Sequence, residues 1–240
     1  MALPFSLLLS LLATQAPDAS ASAAPRAGLV DRVVAIIDKR PMLLSELEFE
    51  ARVEAIQHGG LEAATAPLSD EVLAAALDLA IGRRLALAEA DRLQVFETGD
   101  AVAAQAADKA AAKALQAFKK LFKSDKQLLA FLDGQEASPE ELAALLQRNE
   151  RVTHFIDTKV RFRARLTDED ARRYWAAHAS ELGAAPFEDL RGAILEKLTR
   201  ERYQVLTRKV LDELRAKADV RVVAPFAQQG FDAGGPPSVP

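Results

Sequence analysis

The chain has 240 residues, half of them apolar with Ala and Leu dominant, which is enough for one large domain or two small ones and favours helix. Its 31 basic and 35 acidic residues leave a formal charge of −4, a balance that gives no support for a nucleic-acid partner. There is no Cys, which excludes disulfides, thiolate nucleophiles, cysteine metal sites and a lipid-modified N-terminal Cys.

The first element is "LPFSLLLSLLA", an apolar run of 11 residues. "ASASAA" follows it and offers A-x-A cleavage sites. No Lys or Arg precedes the run, and it is shorter than the roughly 20 residues that span a bilayer. These residues are expected to be a cleaved signal peptide, 1–23, with a linker at 24–29. That implies an exported protein without stable membrane insertion.

"VDRVVAIIDKRPMLLSELEFE" reads as two short strands around a tight turn, then a helix start. In the first strand Val30, Val34 and Ile36 fall on one face and Val33, Ala35 and Ile37 on the other, so both faces are expected to be covered. Ser45 and Glu48 have the spacing of a capping box for the first helix, which Gly59-Gly60 ends. Ser69 caps the next helix, with Asp70 and Glu71 in its first turn and a stripe of Leu73, Leu77, Ile81, Leu85 and Ala88.

Thr98 introduces an Ala-rich helix, and Ser124 a short one stopped by Gly134. Ser138-Pro139-Glu140-Glu141 is a complete start signal. It predicts a helix with Leu142, Leu145, Leu146, Val152, Ile156 and Val160 on one side. Thr167 caps "DEDARRYWAAHASEL".

A long helix is expected from Phe187 to Lys217, with its apolar pattern lapsing between Thr199 and Gln204. "ADVRVV" has strand alternation. A two-stranded hairpin is marginal in water, so residues 219–223 are expected to add a third strand beside the first. The Gly/Pro-rich residues 224–240 read as a disordered tail.

The chain carries little catalytic chemistry. His58, His154 and His178 lack metal-ligand spacing and read as surface residues. No nucleophile elbow, dinucleotide fingerprint or phosphate-loop lysine motif is present. Acidic pairs such as Glu140-Glu141 and Asp168-Asp170 are explained by helix capping. The basic clusters Lys119, Lys120, Lys123, Lys126 and Arg161, Arg163, Arg165 read as solvated helix faces. Phe118, Leu121, Phe122, Phe131, Phe155 and Phe162 each fit a core position. Left partly exposed in a groove, they would bind extended apolar segments.

The order of these features resembles the SurA-like periplasmic chaperones, related to the PrsA and PpiD group. The resemblance covers about residues 30–223 and is carried by "VDRVVAIIDKRPMLLSELE", "DEVLAAALDLAIGRRLALAEADRLQV", "LTDEDARRYWAAH" and the long helix ending "DVRVV". It implies a mainly α fold: a helical chaperone domain with a small β-hairpin closed by a C-terminal strand. Its N-terminal part is residues 30–180, and its C-terminal helix and strand are 187–223.

Members of that family usually insert a parvulin-type prolyl isomerase domain after the Tyr174-Trp175 helix. Here about ten residues separate that helix from the last one, far below the ~40 a self-standing fold needs. The resemblance therefore implies a non-catalytic relative without cofactor, which holds unfolded polypeptides, outer-membrane protein precursors above all. The alternatives are a structural or adaptor protein of envelope assembly, a peptidyl-prolyl isomerase by family inheritance, and a plain cytosolic helical protein.

Overall fold

Four of the five residues from Val33 to Ile37 are β-branched, and they form strand β1 (Val33–Ile37). In the computed structural model, which describes residues 31–96, 101–183 and 186–227, this strand is the centre of the sheet. It pairs antiparallel with β2 (Arg40–Leu43) on one side and with β3 (Val220–Val222) on the other. The expected closure of the hairpin by the far end of the chain is observed, with Ala35 opposite Val222 and Ile37 opposite Val220. The proposed signal peptide and linker lie outside the described residues, as does Thr98.

Strict alternation fails in β1. The register shifts between Val33 and Ala35, so Val33 opposes Leu43 while Ala35 opposes Met42. This bulge makes Val34 and Ala35 neighbours that are both buried, where alternation assigned them opposite faces. The Val34 carbonyl accepts the N–H groups of both Val223 and Ala224, at 3.0 and 3.1 Å.

The turn between β1 and β2 is Asp38-Lys39, both at positive φ (47° and 69°). Positive φ at both central residues is what a two-residue hairpin loop requires to match strand twist.

The helices are α1 (Leu44–Gly59), α2 (Asp70–Arg92), α3 (Ala101–Lys119), α4 (Asp125–Gly134), α5 (Pro139–Ala164), α6 (Asp168–Ala177), α7 (Ala179–Leu182) and α8 (Phe187–Arg215). A 3-10 turn, Leu61–Ala64, follows α1. Ser69, Ser124, Ser138 and Thr167 all cap as expected, and Ser138 with Glu141 forms a complete capping box.

Ser45 does not cap α1. The helix begins one residue before it, and Ser45 instead donates its N–H (3.2 Å) and its hydroxyl to the Asp31 carboxylate. An acid 14 residues upstream thus supplies the acceptor that the capping-box reading assigned to Ser45 itself.

Three apolar clusters fill the body. One lies under the sheet, joining Val34, Met42 and Leu47 to Leu77 and Ile81 of α2. Ala224 and Ala227 are buried in this same cluster. The ordered body therefore runs past the strand to Ala227, into residues whose composition had placed them in the tail. The second cluster joins α2, α5 and α8 through Ala86, Ala90, Phe155, Val160 and Tyr203. The third joins α1, α4 and α5, with the end of α3, through Val53, Ile56, Phe118, Leu132 and Leu145.

Small residues bring helices close. Ala103, Ala107 and Ala111 are buried on α3, which packs along α5. At Gly82 of α2, Leu211 of α8 stands 3.4 Å from where a Cβ would be.

The lapse in the apolar pattern of α8 has a structural cause. The helix is 29 residues long, about 43 Å, and serves two cores in succession. Its second half packs on α2 and α5 in the body. Its first half packs on α6 in a fourth, smaller cluster with Ala171, Phe187 and Ile194 buried. Thr199 to Arg202 span the gap between the two. Helices α6, α7 and the first half of α8 form a helical arm on the body.

Candidate functional site

Helix α1 places Glu46, Glu50 and Glu54 at four-residue steps, so they share one face, and this face meets Arg83 and Arg84 of α2. Arg83 Nη2 donates to Glu54 Oε2 at 2.6 Å. His58 Nε2 lies 3.1 Å from the other Glu54 oxygen. Arg84 Nη2 reaches Glu50 Oε1 at 3.3 Å and also pairs with Glu46. Glu50, Glu54 and Arg83 are all buried.

Burial pushes the Glu50 carboxyl above its ordinary pKa. The Arg84, Arg83 and Arg148 guanidiniums pull it down and the Glu46 carboxylate pushes it up, and the net direction is upward. Arg84 Nη1 is buried with no hydrogen-bond partner among the described residues.

Over this ladder, between the hairpin turn, α1, α2 and α5, lies a cleft of about 520 Å³. That volume is within the ~300–1,000 Å³ range of small-ligand sites. Its apolar lining includes Ile37, Leu87, Leu145 and Val152, and its polar lining includes Arg40, Glu50, Arg84, Arg148 and Asn149. Ala88, expected on the buried stripe of α2, is exposed and lines this cleft. The stripe passes instead through Ala86 and Ala90.

The six residues nominated from sequence for a peptide groove do not share one surface. The rings of Phe118, Phe122 and Phe131 do meet, with centroids 5.4, 5.6 and 6.4 Å apart, but inside the third core. Phe118 and Phe155 are each 1% exposed, and Phe122 is also buried. These three serve the core and cannot wall an open groove in this conformation. Leu121 is 39% exposed in the turn that follows α3. Phe162 is 72% exposed, with the Arg165 guanidinium 5.0 Å from its ring centre.

The basic clusters on α3–α4 and at the end of α5 are exposed. His58 is exposed, as expected, while His154 and His178 are half-buried. His58 reaches buried Glu54, His154 packs its ring against Phe96 (5.9 Å), and His178 stacks on Tyr174 (3.9 Å). Among the described residues, no group of three or more His, Asp or Glu could hold a metal ion. No helix among them is long and apolar enough to cross a membrane.

The arm carries a second candidate surface. Around its three buried residues, Tyr174, Trp175, Leu182, Leu190, Leu195 and Leu198 are only partly covered. Trp175 meets Phe187 edge-on at 6.2 Å, and the Arg172 guanidinium lies 4.5 Å from the Phe187 ring centre.

The Glu46–Glu50–Glu54 stripe was the signal for the cleft in the sequence. It resembles any solvated acidic face until α2 brings two arginines against it.

The fold defines a mainly α protein with a small three-stranded antiparallel sheet. No family model, curated protein or solved structure matches the chain.

Proposed function

We propose that this chain is a periplasmic holding chaperone, which binds unfolded outer-membrane or secreted polypeptides without ATP and without catalysis. The observation that carries the reading is the arm, where six apolar side chains stay half covered around a core of three. Such a surface offers many weak contacts. Ordering a bound chain offsets much of the contact energy, so affinity would be modest and selectivity broad. The order of elements supports it too: hairpin, helices, a long returning helix and a closing strand are what the resemblance to SurA-like chaperones implies.

The test is aggregation of a denatured β-barrel protein diluted from urea. Near-stoichiometric amounts of the chain should keep the barrel protein in solution. Unchanged light scattering at several-fold excess would remove the reading.

A further inference from the structure

The sheet ends on two unlike edges, β2 and β3. The two-residue turn makes Ile37 and Arg40 the hydrogen-bonded pair of the hairpin, so Pro41, next along β2, turns its backbone to the outer edge. Proline has no N–H to offer there, which blunts that edge. On the other side, the Asp38 N–H donates to the Asp219 carbonyl at 2.9 Å and the Val223 N–H to the Val34 carbonyl at 3.0 Å. Hydrogen-bonded pairs recur at every second residue of an antiparallel ladder, and Ile36 opposite Arg221 is the pair between these two. Arg221 therefore turns its N–H and C=O toward β1, and Val220 and Val222 turn theirs away. These outward groups have no hydrogen-bond partner among the described residues.

Two donors and two acceptors thus stand along β3 at the spacing of an extended backbone. Val220 and Val222 also share one face of the strand. Both are only half-buried at the rim of the core under the sheet, as are Ala218 and Phe226 before and after the strand.

We propose that the β3 edge takes an extended segment of another polypeptide as a fourth strand, one that alternates apolar and polar residues. The backbone of that segment pairs with the outward groups of Val220 and Val222, and its apolar side chains continue their row. The strand is three residues long, so the edge spans only ~10 Å. An edge so short cannot anchor the ~1,200–2,000 Å² of a stable protein–protein interface, which argues against a second folded copy as the occupant. It suits a single strand, held weakly and reversibly. The inference concerns a different surface from the arm and does not require the holding reading.

The experiment titrates the full chain with a labelled, capped hexapeptide alternating valine and threonine, and with the same peptide N-methylated at every residue. Methylation removes the backbone donors and keeps the side chains. Val222→Pro removes one outward N–H and no bond to β1, and proline is tolerated on an edge, so this variant should melt like the parent. The unmodified peptide should bind at millimolar concentration or below and shift the amide resonances of residues 219–223. Methylation of the peptide, or Val222→Pro, should weaken binding about tenfold or more.

Equal binding of the methylated peptide, binding unchanged by Val222→Pro, amide shifts confined to the arm, or no binding at millimolar concentration overturns the proposal. So does dimerisation of the chain that Val222→Pro abolishes, which would give the edge to a second copy. Should Val222→Pro fail to fold, the methylated peptide and the amide shifts decide. Aggregation suppression by Val222→Pro, measured separately, keeps this outcome distinct from that of the holding reading.

Discussion

Asp38 and Asp219 hold each other across 181 residues of sequence. The Asp38 N–H donates to the Asp219 carbonyl at 2.9 Å, and the Asp219 N–H donates to Asp38 Oδ1 at 3.0 Å. The first of these residues is in the hairpin turn and the second precedes β3. The turn that begins the fold is therefore anchored by the segment that ends it.

Truncation after Ala218 should destabilise the whole body. It removes the β3 ladder, both Asp38–Asp219 bonds and the buried Ala224 and Ala227. What remains of the sheet is a two-stranded hairpin, which is marginal in water. Thermal unfolding followed by far-UV circular dichroism should show a large fall in Tm. A truncated protein that melts with the parent would mean that β3 is not what closes the fold.

Lys39→Gly should stabilise the protein. Lys39 sits at φ 69°, where an L side chain costs about 1–2 kcal/mol that Gly avoids. The greater backbone freedom of Gly in the unfolded chain offsets about 0.5–1 kcal/mol of this. A net gain of up to about 1.5 kcal/mol should appear in urea unfolding. Asp38→Gly is a different case, because it also removes the acceptor for Asp219, and it should be neutral or destabilising. A loss of stability in Lys39→Gly would show that the lysine contributes something other than strain.

Much of this architecture was legible in the chain. The capping residues Ser69, Ser124, Ser138 and Thr167 were read correctly because the signal is local, a hydroxyl three residues from the N–H it accepts. The pairing of residues near 220 with β1 was legible because a lone hairpin needed a partner. Ser45 was misread because its true partner, Asp31, comes from outside the capping window. The bulge at Val34 left no mark in a run of uniformly apolar residues. The cleft was missed for a related reason: Arg83 looks like a solvated charge until Glu54 faces it from another helix. Phe118 and Phe155 show the converse, since apolar identity does not separate core from groove.

Glu50→Gln should stabilise the protein at neutral pH and have little effect in acid. The folded state raises the Glu50 pKa above its ordinary 4.5, so it favours the protonated form. The stability this contributes is fully present below pH 4.5 and is lost as pH rises through the raised folded value. Glutamine is neutral throughout and escapes that loss. Urea unfolding should find parent and variant similar near pH 4, with the variant gaining as pH rises toward 7. The contrary result, a variant weaker at pH 7 than at pH 4 relative to the parent, would mean that pairing with Arg84 outweighs burial.

Phe187→Ala should melt the arm before the body. Phe187 is one of three buried residues in the arm, where its ring meets Trp175 and lies beside Arg172. Truncating a buried Phe costs about 3–5 kcal/mol, a large share of what so small a core can supply. Trp175 is the chain's single tryptophan and lies in the arm, so its fluorescence reports this lobe alone. Far-UV circular dichroism is dominated by the body helices. In the variant, the fluorescence transition should move to lower temperature and separate from the dichroism transition. Were both to shift together by the same amount, α8 would be coupling the two cores into one cooperative unit, and Thr199 to Arg202 would act as a rigid strut and not as a boundary.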